Sequence, residues 1–188
     1  MIFKSSYKQK TFSFIIEEDF KSFTISEITK RIKKADWRKL PYKAQNWGNW
    51  LHRMGAYVGK IKPGMAHLIL KAISKKGDII LDPFCGIGTV PLEADLLGRT
   101  AIGVDLNPYA YQIAKSKFDR QSKEKIISYL NKIKINLSKI DLKKCSKDMK
   151  IFYDPRTLKE ILFLLDKFKK DKKYFLIGCL LGIIHGHR

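Results

Sequence analysis

A chain of 188 residues with 45% hydrophobic and 12% aromatic residues carries enough apolar material for one packed domain, which argues against a disordered class. Its three cysteines, Cys85, Cys145 and Cys179, show neither CxxC nor Cys/His ligand spacing, so no disulfide framework or zinc site is indicated and a reducing cytoplasm is the expected home. The net charge of +20 points to a polyanionic partner, nucleic acid first, although solvated lysine faces would give the same balance.

That charge is uneven along the chain. Residues 1–60 hold 13 Lys and Arg against 5 acids, residues 61–118 hold 7 against 5, and residues 119–188 hold 18 against 8. Trp37, Trp47 and Trp50 interleave with the N-terminal basic residues, a pattern suited to phosphate-backbone contact. The start "MIFKSSYKQK" lacks a signal-peptide core. The longest apolar run, residues 174–184, is about half of a membrane span and reads as a buried helix.

In chain order, residues 1–50 read as a basic N-terminal extension with short elements and a helix near 26–34. From 62, Met65, Leu68, Ile69 and Ala72 recur at helical spacing, with Pro63 at the front and Gly77 as the stop. "IILDPF" is too short for a helix and is expected to be a buried parallel strand. "GIGTVPLEADLLG" then reads as a turn and a helix ending at Gly98, and "TAIGVDLNP" as a second buried strand. A further helix begins near Tyr109. Beyond it, 121–138, 156–170 and 173–184 read as helices, and the lysine-rich 119–150 as a partly exposed helical insertion. No third parallel strand is expected.

The turn between the strands carries the chemistry. In "DPFCGIGT", Gly86 and Gly88 allow a tight turn and a close backbone approach to a ligand, and Asp105 follows Asp82 by 23 residues, the spacing of a glycine loop and a ribose-binding carboxylate. A dinucleotide loop needs a third glycine where this chain has Thr89-Val90-Pro91, so a cofactor without phosphates fits better. S-adenosylmethionine is such a cofactor. Asp82 is expected at its cationic methionine end and Asp105 at its ribose hydroxyls.

The run "LDPFCGIGTVPLEADLLGRTAIGVDLNPYA" resembles the cofactor motifs of DNA amino-methyltransferases, which methylate adenine N6 or cytosine N4. Upstream, "NWGNWLHRMGAYVGKIKPGMAHLIL" resembles the family segment that closes over the methionine moiety, centred on Tyr57, Lys60 and Pro63. Downstream, "IFYDPRTLKEILFLL" and "LGIIHGHR" resemble the helical connection before a catalytic strand. RNA guanine-N2 methyltransferases share a similar "DPFCG" loop and "PGMA" helix. "NWGNWLH" and "DPRTLKE" favour DNA.

The resemblance implies an α/β chain with a partial Rossmann-like S-adenosylmethionine-dependent methyltransferase fold, a helical N-terminal extension and extra helices after the second strand. Its parts are a basic extension at 1–50, a cofactor-binding βαβ core at 51–118 and a helical basic segment at 119–188. It further implies a site-specific enzyme of the restriction–modification kind, and a cofactor site of Tyr57, Lys60, Pro63, Asp82, Pro83, Phe84, Cys85, Gly86, Gly88, Thr89, Asp105, Leu106 and Asn107. The expected partner is DNA, whose target base is flipped into a pocket before its amine is methylated.

In the family that amine is held by Asp, Asn or Ser followed by Pro-Pro and an aromatic. Pro41, Pro63, Pro83, Pro91, Pro108 and Pro155 are the six prolines here, and no two are adjacent. "YDPR" has Arg156 and Thr157 in place of the second proline and the aromatic, and "LPYK" has Leu40 where the acceptor belongs, so both read as structural. No catalytic residue is therefore assigned, and a second polypeptide or a further C-terminal part is expected to supply the motif. His185 and His187 lack a third metal ligand, and Cys85 lacks the histidine a nucleophile would need, so Cys85 is expected to line the cofactor.

Overall fold

The computed structural model describes residues 1–4, 23–34, 36, 38–44 and 47–186. Trp37 and His187 lie outside them. The elements in order are β1 (Ile2–Lys4), α1 (Ile25–Lys34), a 3-10 turn (Trp50–Arg53), α2 (Pro63–Ile73), β2 (Ile79–Asp82), α3 (Thr89–Leu96), β3 (Thr100–Val104) and α4 (Pro108–Ser116). They continue with α5 (Lys123–Asn131), a second 3-10 turn (Leu142–Lys144), α6 (Lys147–Phe152), α7 (Pro155–Lys170) and α8 (Tyr174–Gly186).

The sheet has the order β1-β3-β2. β2 runs parallel to β3, with Ile79 opposite Thr100 and Asp82 opposite Gly103, and α3 is the crossover between them. The expected strand–turn–helix–strand unit is therefore present. A third strand that the sequence did not reveal is present too, and it is antiparallel: β1 pairs with the outer edge of β3, Ile2 opposite Val104 and Phe3 opposite Gly103. Three residues give no periodic pattern, and their partners lie about a hundred positions away, so only the tertiary register reveals the strand.

Gly103 is what lets β1 dock. A Cβ there would lie 2.5 Å from the Phe3 ring, which instead packs on Gly103 and reaches Phe118 at a centroid distance of 5.2 Å. The first four residues thus belong with the sheet rather than with α1.

β2 is not the buried strand that its apolar run predicts. Side chains alternate across a strand, so Ile80 and Ala101 face α2 and α3, where they pack with Leu70 and Ala94. The register places Ile79, Leu81 and Ile2 on the opposite face, where they stand 57%, 62% and 68% exposed. An apolar run cannot say which of its faces is covered.

The helices match the expected pattern where it is long and periodic. α7 begins on Asp154, whose carboxylate accepts from the Arg156 and Thr157 N–H groups at 3.0 Å, so "YDPR" is a helix cap. The expected helix at 121–138 stops at Asn131, and the stretch 119–150, expected to be a helical insertion, continues instead through a 3-10 turn into the start of α6, which Ser146 caps. α8 packs closely on α4: a Cβ at Gly178 would fall 2.4 Å from Ser116. Leu176 and Ile177 are buried with Phe168 of α7, so the front of the apolar helix is covered by this chain itself. Among the described residues no helix is long and apolar enough to cross a membrane.

Candidate functional site

Parallel pairing puts the C-terminal ends of β2 and β3 side by side, and the loops that follow carry Asp82 and Asp105. Asp82 Oδ1 accepts from the Phe84 N–H at 3.2 Å. Asp105 accepts from the Gly86 N–H through Oδ2 and from the Asn107 N–H through Oδ1, both at 2.8 Å, and so ties the two loops together. Gly86 and Gly88 sit at φ 51° and 77°, the left-handed region that side chains other than glycine rarely adopt. Gly88 also packs on α4, where a Cβ would lie 2.9 Å from that of Ala114.

The electrostatics are those of two acids sharing one loop. Burial pushes the Asp82 carboxyl above its ordinary value and the nearby Asp105 adds to this, against the Phe84 N–H that favours the anion. The Cys85 thiol is pushed up to about 12, by burial first and then by Asp82 and Asp105. Cys85 turns inward: its Sγ would lie 3.0 Å from a Cβ on Gly103. The thiol packs beneath the loop against Phe3, so any contact of this residue with a ligand is by its backbone.

The upstream segment reaches the same loop through Tyr57, whose ring would lie 3.2 Å from a Cβ on Gly86. Tyr109 of α4 fixes that segment by donating to the Ala56 carbonyl at 3.2 Å. Lys60 donates to the His52 carbonyl at 2.8 Å, and burial lowers its ammonium below the usual lysine range. Pro63 is the first residue of α2 and starts that helix. Asn107 caps α4, accepting from Tyr109 and Ala110. Phe84 and Leu106 stand 88% and 91% exposed at the rim, with Pro83 beside them. Thr89 is buried, its hydroxyl without a hydrogen-bond partner among the described residues.

Three groups escaped sequence reasoning. Glu93, buried in α3, binds His52 Nε2 at 2.6 Å and His67 Nδ1 at 2.8 Å, which clips the upstream segment and α2 to the helix that opens with the glycine loop. The acid lies 41 and 26 residues from the two histidines, so no local spacing exposes it. Tyr109 is read from sequence only as a helix start. Lys117 follows α4 and is enclosed, its ammonium lowered to about 7 by burial first and by Lys60 second. Among the described residues no group of three or more His, Cys, Asp or Glu is placed to hold a metal ion.

The candidate site is thus a parallel βαβ unit whose glycine loop lies beside the carboxylates that follow its two strands. The chain belongs to the DNA methylase family of N6 and N4 amino-methyltransferases, whose family model matches residues 2–116. It is 32% identical over 127 residues to the type II methyltransferase M.MjaII of Methanocaldococcus jannaschii, covering 68% of this chain and 22% of that protein. It is 40% identical over 53 residues to the type II methyltransferase M.HpaI of Haemophilus parainfluenzae, covering 28% of this chain and 17% of that protein. Over 52 residues it is 40% identical to the tRNA (guanine(10)-N2)-dimethyltransferase of Methanothermobacter thermautotrophicus, covering 27% and 16%. The chain thus spans about a fifth of the length of the curated relatives it matches. No solved structure matches it.

Proposed function

We propose that this chain is the S-adenosylmethionine-binding portion of a site-specific DNA methyltransferase that modifies an exocyclic amine of adenine or cytosine. The observation that carries the reading is Asp105 reaching across from β3 to the Gly86 N–H, with Asp82 close by, so that two acids and a side-chain-free loop converge. The residues fit the cofactor: Asp82 offers an anion to its ammonium, Asp105 lies where a ribose binds, and the left-handed turn at Gly86 and Gly88, packed on Tyr57 and Ala114, holds the loop backbone beside them. When bound, the cofactor supplies an electrophilic methyl group on its sulfonium. In this reading β2, α3 and β3 form the first βαβ unit of a Rossmann-like sheet, with Tyr57 and Lys60 over the methionine end.

DNA is the substrate class favoured by the family and by the charge. The segments flanking the cofactor core carry the excess of basic residues, and phosphate contacts made by them would position the duplex without reading its sequence. A guanine-N2 RNA methyltransferase is the second reading, since tRNA (guanine(10)-N2)-dimethyltransferases match over 52 and 53 residues. Each match is less than half as long as the one to M.MjaII.

Calorimetry of the chain with S-adenosylmethionine tests the reading. Binding is expected, and Asp105→Ala is expected to weaken it at least tenfold, because a charge-assisted hydrogen bond contributes about 1.5–3 kcal/mol. Equal affinity of wild type and variant would remove Asp105 from the site. Absence of any heat with the wild-type chain would defeat the reading as a whole.

A further inference from the structure

Lys117 is 1% exposed, and its ammonium nitrogen has no hydrogen-bond partner among the described residues. A helical side chain leans back toward the helix start, and this one lies close enough to Cys85 of the glycine loop and to Lys60 to interact with both. Neither neighbour balances its charge. The Cys85 thiol stays protonated, and Lys60 is itself a cation engaged with the His52 carbonyl. A buried amine without a counter-ion gives up its proton easily, as the lowering of Lys117 to about 7 expresses, and an anion placed beside it would restore the charge and fill its empty hydrogen-bonding positions.

The start of α3 makes the same demand independently. Its N-cap is Gly88, which has no side chain to bond the first N–H groups of the helix, and a helix start bears a partial positive charge. Thr89, the first residue of α3, is buried there with its hydroxyl unpartnered. Uncapped amides, a free hydroxyl and an unpaired amine therefore gather around a loop that also carries the carboxylates of Asp82 and Asp105. A site with both signs of charge suits a zwitterion.

We propose that Lys117 recognises the carboxylate of an α-amino-acid moiety seated at the start of α3, while Asp82 takes the ammonium of the same moiety. This rests on the cofactor reading above, in which the moiety is the methionine end of S-adenosylmethionine. Lys117 is enclosed, so the ligand reaches it by displacing a neighbour.

The test compares S-adenosylmethionine with its decarboxylated form, which keeps the sulfonium and the ammonium, in the full chain and in Lys117→Met. The wild-type chain is expected to bind S-adenosylmethionine about ten- to a hundredfold more tightly than the decarboxylated form, as one charged hydrogen-bonded contact supplies. Lys117→Met is expected to lose that preference while binding the decarboxylated form as the wild type does. Methionine matches the lysine stem and leaves no buried charge, and unchanged affinity for the decarboxylated form itself reports an intact site. If the variant keeps the preference, or weakens both ligands equally, Lys117 does not read the carboxylate. If the wild type binds both ligands equally well, this inference falls and the cofactor reading stands. If it binds neither, the cofactor reading falls and takes this one with it. Lys117→Gln serves as the second variant should the methionine chain fail to fold, with the same outcomes deciding.

Discussion

Asp82 and Asp105 stand out as candidate ligand groups by sequence alone, since glycines and acids at fixed offsets are local signals. What the two acids do to one another is not local. The carboxyl of Asp82 is raised by burial and by Asp105, so in the folded chain it holds its proton to higher pH than in the unfolded chain. The sign follows: its contribution to stability is full below the unfolded value and is lost as pH rises through the folded value. A bound ammonium reverses this by favouring the anion. Affinity for S-adenosylmethionine is therefore expected to fall as the pH is lowered through the folded value of Asp82, and Asp82→Asn is expected to bind more weakly and to flatten that part of the profile. Calorimetry across mildly acidic pH checks it, and an identical pH dependence in the variant would show that Asp82 does not meet the cation. Cys85 marks where sequence reading stops at this scale. Its place in the loop was legible, but the direction of its thiol depends on Phe3 and Gly103, which reach it only through the fold.

Among the elements, β1 shows how much a short strand can decide. The long helices α7 and α8 and the β2–α3–β3 unit were legible because their patterns repeat within one window, whereas β1 offers three residues and draws its stability from a partner strand far along the chain. Its anchor is Phe3, buried over Gly103 and against Cys85, Ala114 and Phe118. Phe3→Ala leaves a cavity under the glycine loop and is expected to destabilise the chain by about 3–5 kcal/mol, as for other buried aromatics. It should also expose the outer edge of β3 to self-association. Urea denaturation and sedimentation check both effects. A change below about 1 kcal/mol would show that β1 is only loosely held. The Glu93 clip acts at the same scale in the opposite direction: a buried acid with two histidines has no pattern of its own, yet it fixes which way the upstream segment approaches α3.

For the whole molecule, the sheet shows one closed side and one open one. β1 covers β3, but among the described residues the outer edge of β2 has no strand partner, and Ile79, Leu81 and Ile2 form an uncovered apolar face beside it. Unpaired edges and exposed apolar faces in an α/β sheet are where further strands and helices pack. The 188 residues contain no Pro-Pro pair, and under the function proposed above a partner at the side the fold leaves open would present the target amine. The chain alone is accordingly expected to transfer no methyl group to DNA, and activity is expected once a second polypeptide or further part of the chain brings the Pro-Pro-aromatic loop to the edge of β2. The measurement is transfer of labelled methyl from S-adenosylmethionine to mixed-sequence duplex DNA, with and without the co-expressed product of the downstream reading frame. Leu81→Glu, on the open face and outside the cofactor loop, should leave S-adenosylmethionine binding unchanged and abolish the restored activity, because a carboxylate there opposes packing. Robust methylation by the 188-residue chain alone would overturn the expectation and direct attention to other residues for holding the amine.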